Sequence, residues 1–204
     1  MARSLNKTRM RDTRILIALT VLAGVSCKMF FPQESWTHHS MDLLGYLLVT
    51  VCAIGRIYAT AFIGGIKNED LITWGPYSLC RNPLYLFSLL GAAGIGLMTT
   101  SVIAFAVIFS GFLAIYLGLI QREEEFLLEK FGQKFRDYMA RVPRLLPSLR
   151  NYSCPEELVF QPRFLTKAVA DAVWWFAPLP LFEFAEILQQ KGLITPVMRP
   201  FWLF

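Results

Sequence analysis

Charge is scarce in this sequence. Only 17% of its 204 residues are Asp, Glu, Lys or Arg, against about 25% in a soluble domain. Histidine is scarcer still, with His38 and His39 as the two in the chain. Cys27, Cys52, Cys80 and Cys154 form no CxxC pair and no zinc-like spacing, which argues against a disulfide framework. Hydrophobic residues make up 55% of the chain and the mean hydropathy is +0.46. Disorder, a coiled coil and an ordinary cytosolic fold are excluded on these grounds. The chain is built for a bilayer.

The charge that is present is uneven. The net value is +5, with Arg3, Lys7, Arg9, Arg11 and Arg14 ahead of the first apolar run. Lys130, Lys134, Arg136, Arg141, Arg144 and Arg150 follow the longest one. Beside apolar spans, such clusters read as cytoplasmic flanks rather than as a nucleic-acid surface.

Ile15 to Phe31 reads as a first, uncleaved span, with Lys28 able to snorkel. Pro32-Gln33-Glu34-Ser35 reads as a turn, and a second span runs from Asp42 to Ile66, carrying Arg56. From Leu84 to Ile120 no side chain is charged. As one helix this stretch would be about 55 Å long, nearly twice the ~30 Å hydrocarbon core. Thr99-Thr100-Ser101 divides it into a tight hairpin of spans 84–98 and 102–120, the first rich in small residues. A cytoplasmic helix over 121–142 completes a domain of residues 1–150. Residues 151–204 form an extension with a linker and a fifth membrane-embedded or interfacial helix around Ala168 to Leu188. The fold expected is all-α and integral to the membrane, with four transmembrane helices and that fifth element. The distribution of Lys and Arg places the N-terminus and the loop from Lys67 to Arg81 in the cytoplasm.

Two polar segments flank the hairpin. In the first, Gly75-Pro76 makes a turn and Pro83 suits the first turn of a helix, leaving Arg81 and Asn82 at a helix start that favours a carboxylate. In the second, Arg122 precedes Glu123, Glu124 and Glu125, which can complement a cationic ligand or form a solvated face. His38 and His39 read as a turn pair, and no metal site is expected of them without further ligands.

In chain order these segments read Thr73-x-Gly75-x-Tyr77, Arg81-x-Pro83-x-Tyr85, a charge-free hairpin, Glu123-Glu124 with Gly132 after seven more residues, and Val142-Pro143-Arg144-Leu145-Leu146-Pro147. The set resembles the isoprenylcysteine carboxyl methyltransferase family and, more distantly, the phospholipid methyltransferases, over about Arg56 to Pro147. The resemblance implies an integral-membrane enzyme using S-adenosylmethionine without a Rossmann domain, and no GxGxxG is present.

It further implies that Tyr77, Asn82, Pro83, Leu84 and Tyr85 bind the cofactor. The loop from Glu69 through Leu71 and Ile72 would add backbone contacts, and Glu123 and Glu124 would complete the set. Glu123 and Arg81 are the expected catalytic pair. Asn82 stands where the family has histidine. Leu119 stands where the family's substrate arginine falls, so Arg56 or Arg122 is expected to contact the acceptor. The expected partners are the bilayer and a prenylated or lipidic carboxylate, with no nucleic acid and no metal. A phospholipid or amine N-methyltransferase and a non-catalytic membrane scaffold are the alternatives.

Overall fold

The computed structural model describes residues 35–64, 70–157 and 161–193, and no β-strand occurs among the described residues. The first expected span, Ile15 to Phe31, lies outside them, as does Glu69. The helices are α1 (Trp36–Ile63), α2 (Pro76–Leu79), α3 (Pro83–Met98), α4 (Val102–Phe131), α5 (Gln133–Arg141), α6 (Pro162–Val173) and α7 (Pro178–Gln190). Helices α2, α3, α6 and α7 each begin on a proline, where the missing N–H is not needed.

Helix α1 starts at Trp36, ahead of the expected Asp42, because Ser35 caps it. The Ser35 Oγ accepts from the His38 backbone N–H at 3.2 Å. Leu43, Leu47, Val51, Ile54 and Tyr58 form an exposed apolar stripe along α1, while Val49, Cys52, Ala59 and Phe62 are buried. Helix α4 exposes Val102, Ile103, Val107 and Leu117. Both helices are long and apolar enough to cross a bilayer. Helix α3 is apolar but has 16 residues, about 24 Å, which falls short of a straight crossing.

The turn between α3 and α4 falls at the expected Thr99-Thr100-Ser101. Thr99 Oγ1 donates to the Gly96 carbonyl at 2.7 Å, Thr100 takes φ 45°, and Ser101 Oγ caps α4 through the Ala104 N–H at 3.3 Å. Two other boundaries differ from expectation. Residues 121–131 continue α4 without interruption, and the expected helix over 121–142 is broken at Gly132, whose φ of 53° ends the helical path. The apolar stretch around Ala168 to Leu188 is likewise divided. Helix α6 stops at Val173, a 3₁₀ turn spans Trp174–Phe176, and Pro178 opens α7. With 12 and 13 residues, α6 and α7 are each too short for a straight crossing.

The chain divides into two compact units. The first takes the start of α1, residues Leu89–Ile115 and the chain from Trp174. Within it Gly45 and Gly94 let α1 and α3 approach closely, since a Cβ on Gly94 would lie 2.7 Å from the Gly45 carbonyl oxygen. Phe112 packs on Trp175 with ring centroids 5.9 Å apart. The second unit takes Val51–Ser88 and Tyr116–Val173. Its core includes Phe135, Tyr138 and Val142, packed against Leu71, Leu127, Leu128, Phe131 and Met139.

Gly94→Ala is expected to lower stability by about 1–3 kcal/mol, as overpacking does. Gly118→Ala meets nothing within 4 Å and is expected to be neutral or stabilising by up to about 1 kcal/mol. Thermal unfolding of both variants in detergent checks this; equal effects would remove the close helix contact as the cause.

Candidate active site

The polar segment after α1 is shaped by Gly75. Its φ is 61°, and a Cβ there would lie 2.2 Å from the Phe62 ring, so glycine is required for both backbone and space. A later stretch of chain straps the segment down. Gly75 N–H donates to Ser153 O at 2.6 Å, Arg81 N–H to Pro143 O at 2.9 Å and Ser148 N–H to Leu79 O at 2.9 Å. Tyr138, on α5, donates its hydroxyl to Tyr77 O at 2.7 Å.

Glu123 and Glu124 follow the apolar run of α4. Adjacent residues on a helix diverge by about 100°, and the two carboxylates take separate partners. Glu124 is 6% exposed. Its Oε1 accepts from Arg81 Nε at 3.0 Å and from Asn82 Nδ2 at 3.1 Å, and its Oε2 accepts from Arg144 at 2.7 and 3.0 Å. Burial pushes this carboxyl up, but the hydrogen bonds from Arg81 and Arg144 outweigh it and hold it below its ordinary range. Arg81 also donates to the Met139 and Val142 carbonyls at 3.1 and 2.6 Å, and Asn82 to the Arg144 carbonyl at 3.1 Å. Helix α5 ends there, so the guanidinium complements its dipole.

Glu123 turns instead toward α3. Its Oε2 accepts from the Tyr85 hydroxyl at 3.0 Å, and the Tyr85 ring lies against Tyr116 with centroids 5.3 Å apart. The result is an oriented carboxylate beside two aromatic rings, next to a closed ion cluster. Such a pair suits a ligand carrying positive charge.

The structure therefore brings together Arg81, Asn82, Tyr85, Glu123 and Glu124 from the expected set. Pro83 is buried at the start of α3 and Leu84 is half-buried beside it. Ile72 is buried; Leu71 lines a cleft of ≈ 390 Å³ with Asp70, Thr73, Lys134, Asp137 and Arg141. Arg56 donates to Ser88 Oγ at 2.6 Å, one helical turn beyond Tyr85 on α3. Arg122 is exposed on α4, outside the Glu124 cluster. Burial pushes the Cys80 thiol up to about 11, so it is no thiolate at neutral pH.

Two contributors carried no role in the sequence reading. Arg144 lies in the Val-Pro-Arg-Leu-Leu-Pro motif already singled out, and that motif was the signal for it. Tyr116 is seven residues before Glu123 on the same helix, a spacing that returns to the same face.

Residues 41–134 match the family described as phospholipid methyltransferase. Protein-S-isoprenylcysteine O-methyltransferase B of Arabidopsis thaliana is 30% identical over 145 residues, 65% of this chain and 72% of that protein. The chain belongs to the isoprenylcysteine and phospholipid methyltransferase family. It is also similar to the cobalt-zinc-cadmium resistance protein CzcN of Cupriavidus metallidurans, 33% identical over 91% of this chain and 87% of that protein. The nickel-cobalt-cadmium resistance protein NccN of Alcaligenes xylosoxydans is 28% identical over 96% of this chain and 92% of that protein. No solved structure matches. As a member of a membrane methyltransferase family, the chain carries Arg81 to Tyr85 and both glutamates inside the matched residues, while Arg144 and the Ser148–Ser153 strap lie beyond them.

Removing the Glu124 carboxylate leaves the largely buried Arg81 with backbone carbonyls alone, so Glu124→Ala is expected to cost about 3 kcal/mol. Arg144 is half exposed, so Arg144→Ala is expected to cost about 1 kcal/mol. Chemical denaturation followed by tryptophan fluorescence measures both. Because the folded-state pKa of Glu124 is lowered, its contribution is complete above the unfolded carboxyl value of about 4.3. It is lost as pH falls through the lower folded value. The wild-type melting temperature should therefore drop more steeply as pH falls below about 4 than that of Glu124→Gln.

Proposed function

We propose that this protein is an S-adenosylmethionine-dependent methyltransferase acting on the carboxylate of a prenylated or otherwise lipidic acceptor. The observation that carries the reading is the Tyr85–Glu123 hydrogen bond, backed by Tyr116, beside the closed Arg81–Glu124–Arg144 cluster. The cofactor has a cationic amino group, a sulfonium and ribose hydroxyls, and an anionic acceptor flanked by aromatic faces is their complement. When bound, it supplies a methyl group activated on sulfur.

The chain's residues do the rest by position. Tyr85 holds the Glu123 carboxylate in one orientation, ready to accept from an amino group or a ribose hydroxyl. Arg81 and Asn82 engage Glu124 and thereby hold the start of α3 against α4. This makes Arg81 a positioning residue, and Glu123 the group that touches the cofactor. The resemblance to the family assigns Tyr77, and backbone groups of Leu71 and Ile72, to the cofactor as well. Arg56, bonded to Ser88 one turn from Tyr85, is the cation we assign to the acceptor carboxylate, with the exposed Arg122 as a second candidate. A carboxylate needs no base before it attacks, and neither histidine belongs to the second unit. Alignment of the reactants and exclusion of water supply the acceleration.

The clusters of Lys and Arg support a multi-pass topology with the N-terminus and the site facing the cytoplasm. The names of the two relatives that match nearly the full chain support a setting in tolerance of divalent transition metals. The family's phospholipid members support a second reading, N-methylation of a lipid amine.

Titration of S-adenosylmethionine into the detergent-purified chain is expected to show one saturable site. Tyr85→Phe should weaken it about tenfold, a loss of about 1.4 kcal/mol, and Glu123→Ala should abolish it. Label carried from the methyl donor into prenylcysteine as a methyl ester should be released by alkali as methanol, whereas label on a lipid amine resists alkali. No binding by folded wild-type protein would overturn the enzyme reading and favour a non-catalytic scaffold.

A further inference from the structure

A second cluster of polar side chains lies in the first unit, where the opening turn of α1 meets α7. His38 is 4% exposed. Its Nδ1 lies 2.8 Å from Asp42 Oδ2, and its Nε2 lies 3.8 Å from Glu186 Oε1. Nδ1 thus faces the Asp42 carboxylate, while Nε2 has no hydrogen-bond partner among the described residues. A buried imidazole nitrogen without a partner is costly. His39 and Asp42 bring one ligand atom each to the same point, and these atoms and that of His38 all lie within 4.8 Å of one another.

We propose that His38, His39 and Asp42 form a site for a divalent transition-metal cation of the zinc and cobalt class. Two imidazoles and one carboxylate are a borderline donor set, which suits these ions better than calcium or magnesium. Donors on a tetrahedral ion with bonds of 2.0–2.2 Å stand about 3.4 Å apart. The present limit of 4.8 Å is wider than that, and rotation of the exposed His39 side chain would close the difference. His38 ligates through Nδ1, and Glu186 orients it from the other side by accepting from Nε2–H, as carboxylates behind metal-bound histidines do. Asp42 and Glu186 also offset the positive end of the α1 dipole, which otherwise disfavours a cation. The fourth position is open to water or an exogenous ligand.

This inference does not rest on the methyltransferase site. The Asp42 ligand is at the i+4 helical spacing from His38, which becomes meaningful only because α1 already begins at Trp36. Glu186 comes from far along the chain.

Cobalt(II) titrated into the full-length chain, purified in detergent without a histidine tag, reads the site directly. The expected result is one ion per chain with the visible bands of four-coordinate cobalt. His39→Ala, an exposed position that keeps the fold, should weaken binding by more than about tenfold, and Glu186→Gln by about tenfold. His38→Ala should abolish the bands, with helical circular dichroism unchanged as the check on folding. Zinc should raise the melting temperature of wild type but not of Asp42→Asn. Folded wild-type protein that gives no visible bands would overturn the proposal. So would cobalt affinity that is equal in wild type, His39→Ala and Asp42→Asn.

Discussion

The second unit depends on one carboxylate. Glu124 is taken out of water among two guanidiniums and an amide, and an ion in that position is tolerable only when every lone pair is engaged. Because all its partners are needed, their positions are constrained together. Arg81 and Asn82 fix the entry to α3, and Arg144 fixes the chain after α5. Once those are placed, the neighbouring Glu123 is aimed at Tyr85 by the helical twist alone. One buried anion thus sets the direction of an adjacent, more accessible one.

Arg81 shows why the cluster calls for arginine. Its Nε serves Glu124 while a terminal nitrogen reaches the Met139 and Val142 carbonyls. A lysine ammonium lacks the planar fork needed to meet an acid and a helix end at once. Asn82 does the analogous work without charge, with one amide nitrogen shared by Glu124 and the Arg144 carbonyl. An amide has two N–H donors on one nitrogen, whereas an imidazole presents its nitrogens on different sides of a ring. The departure from the family's histidine is therefore accommodated locally.

What could be read from the sequence was what periodicity and hydropathy encode. The turn at Thr99–Ser101 was visible because an uncharged stretch too long for one crossing had a polar middle. Pro83 marked a helix start, and the motif residues around Tyr85 and Glu123 came together as their order suggested. The division of labour between Glu123 and Glu124 was not legible, since it depends on partners 43 and 20 residues distant from Glu124. Nor was the break at Gly132 evident, because an isolated glycine is tolerated inside a helical pattern and its φ of 53° is a property of the fold. The early start of α1 is hidden in the sequence because a serine after Pro32 suits a turn as well as a helix cap, and only the His38 N–H bond to Ser35 Oγ distinguishes them. Arg144 lay in a recognised motif, but only the fold shows what it holds.

The strap over the Gly75 segment bears on how the protein comes into being. Ser78 waits for Ser153, which follows it by 75 residues, and the backbone bonds to Pro143 and Ser148 come nearly as late. While a nascent chain emerges, the helices that bury apolar surface have local reasons to form. The polar segment between them has only the short turns around Pro76–Leu79 until synthesis has passed Ser153, and water must serve the Gly75 and Arg81 amides meanwhile. Maturation of this segment therefore trails the assembly of the helices. A chain interrupted shortly after α5 would have its apolar helices in place and still lack the order of the segment that leads into α3.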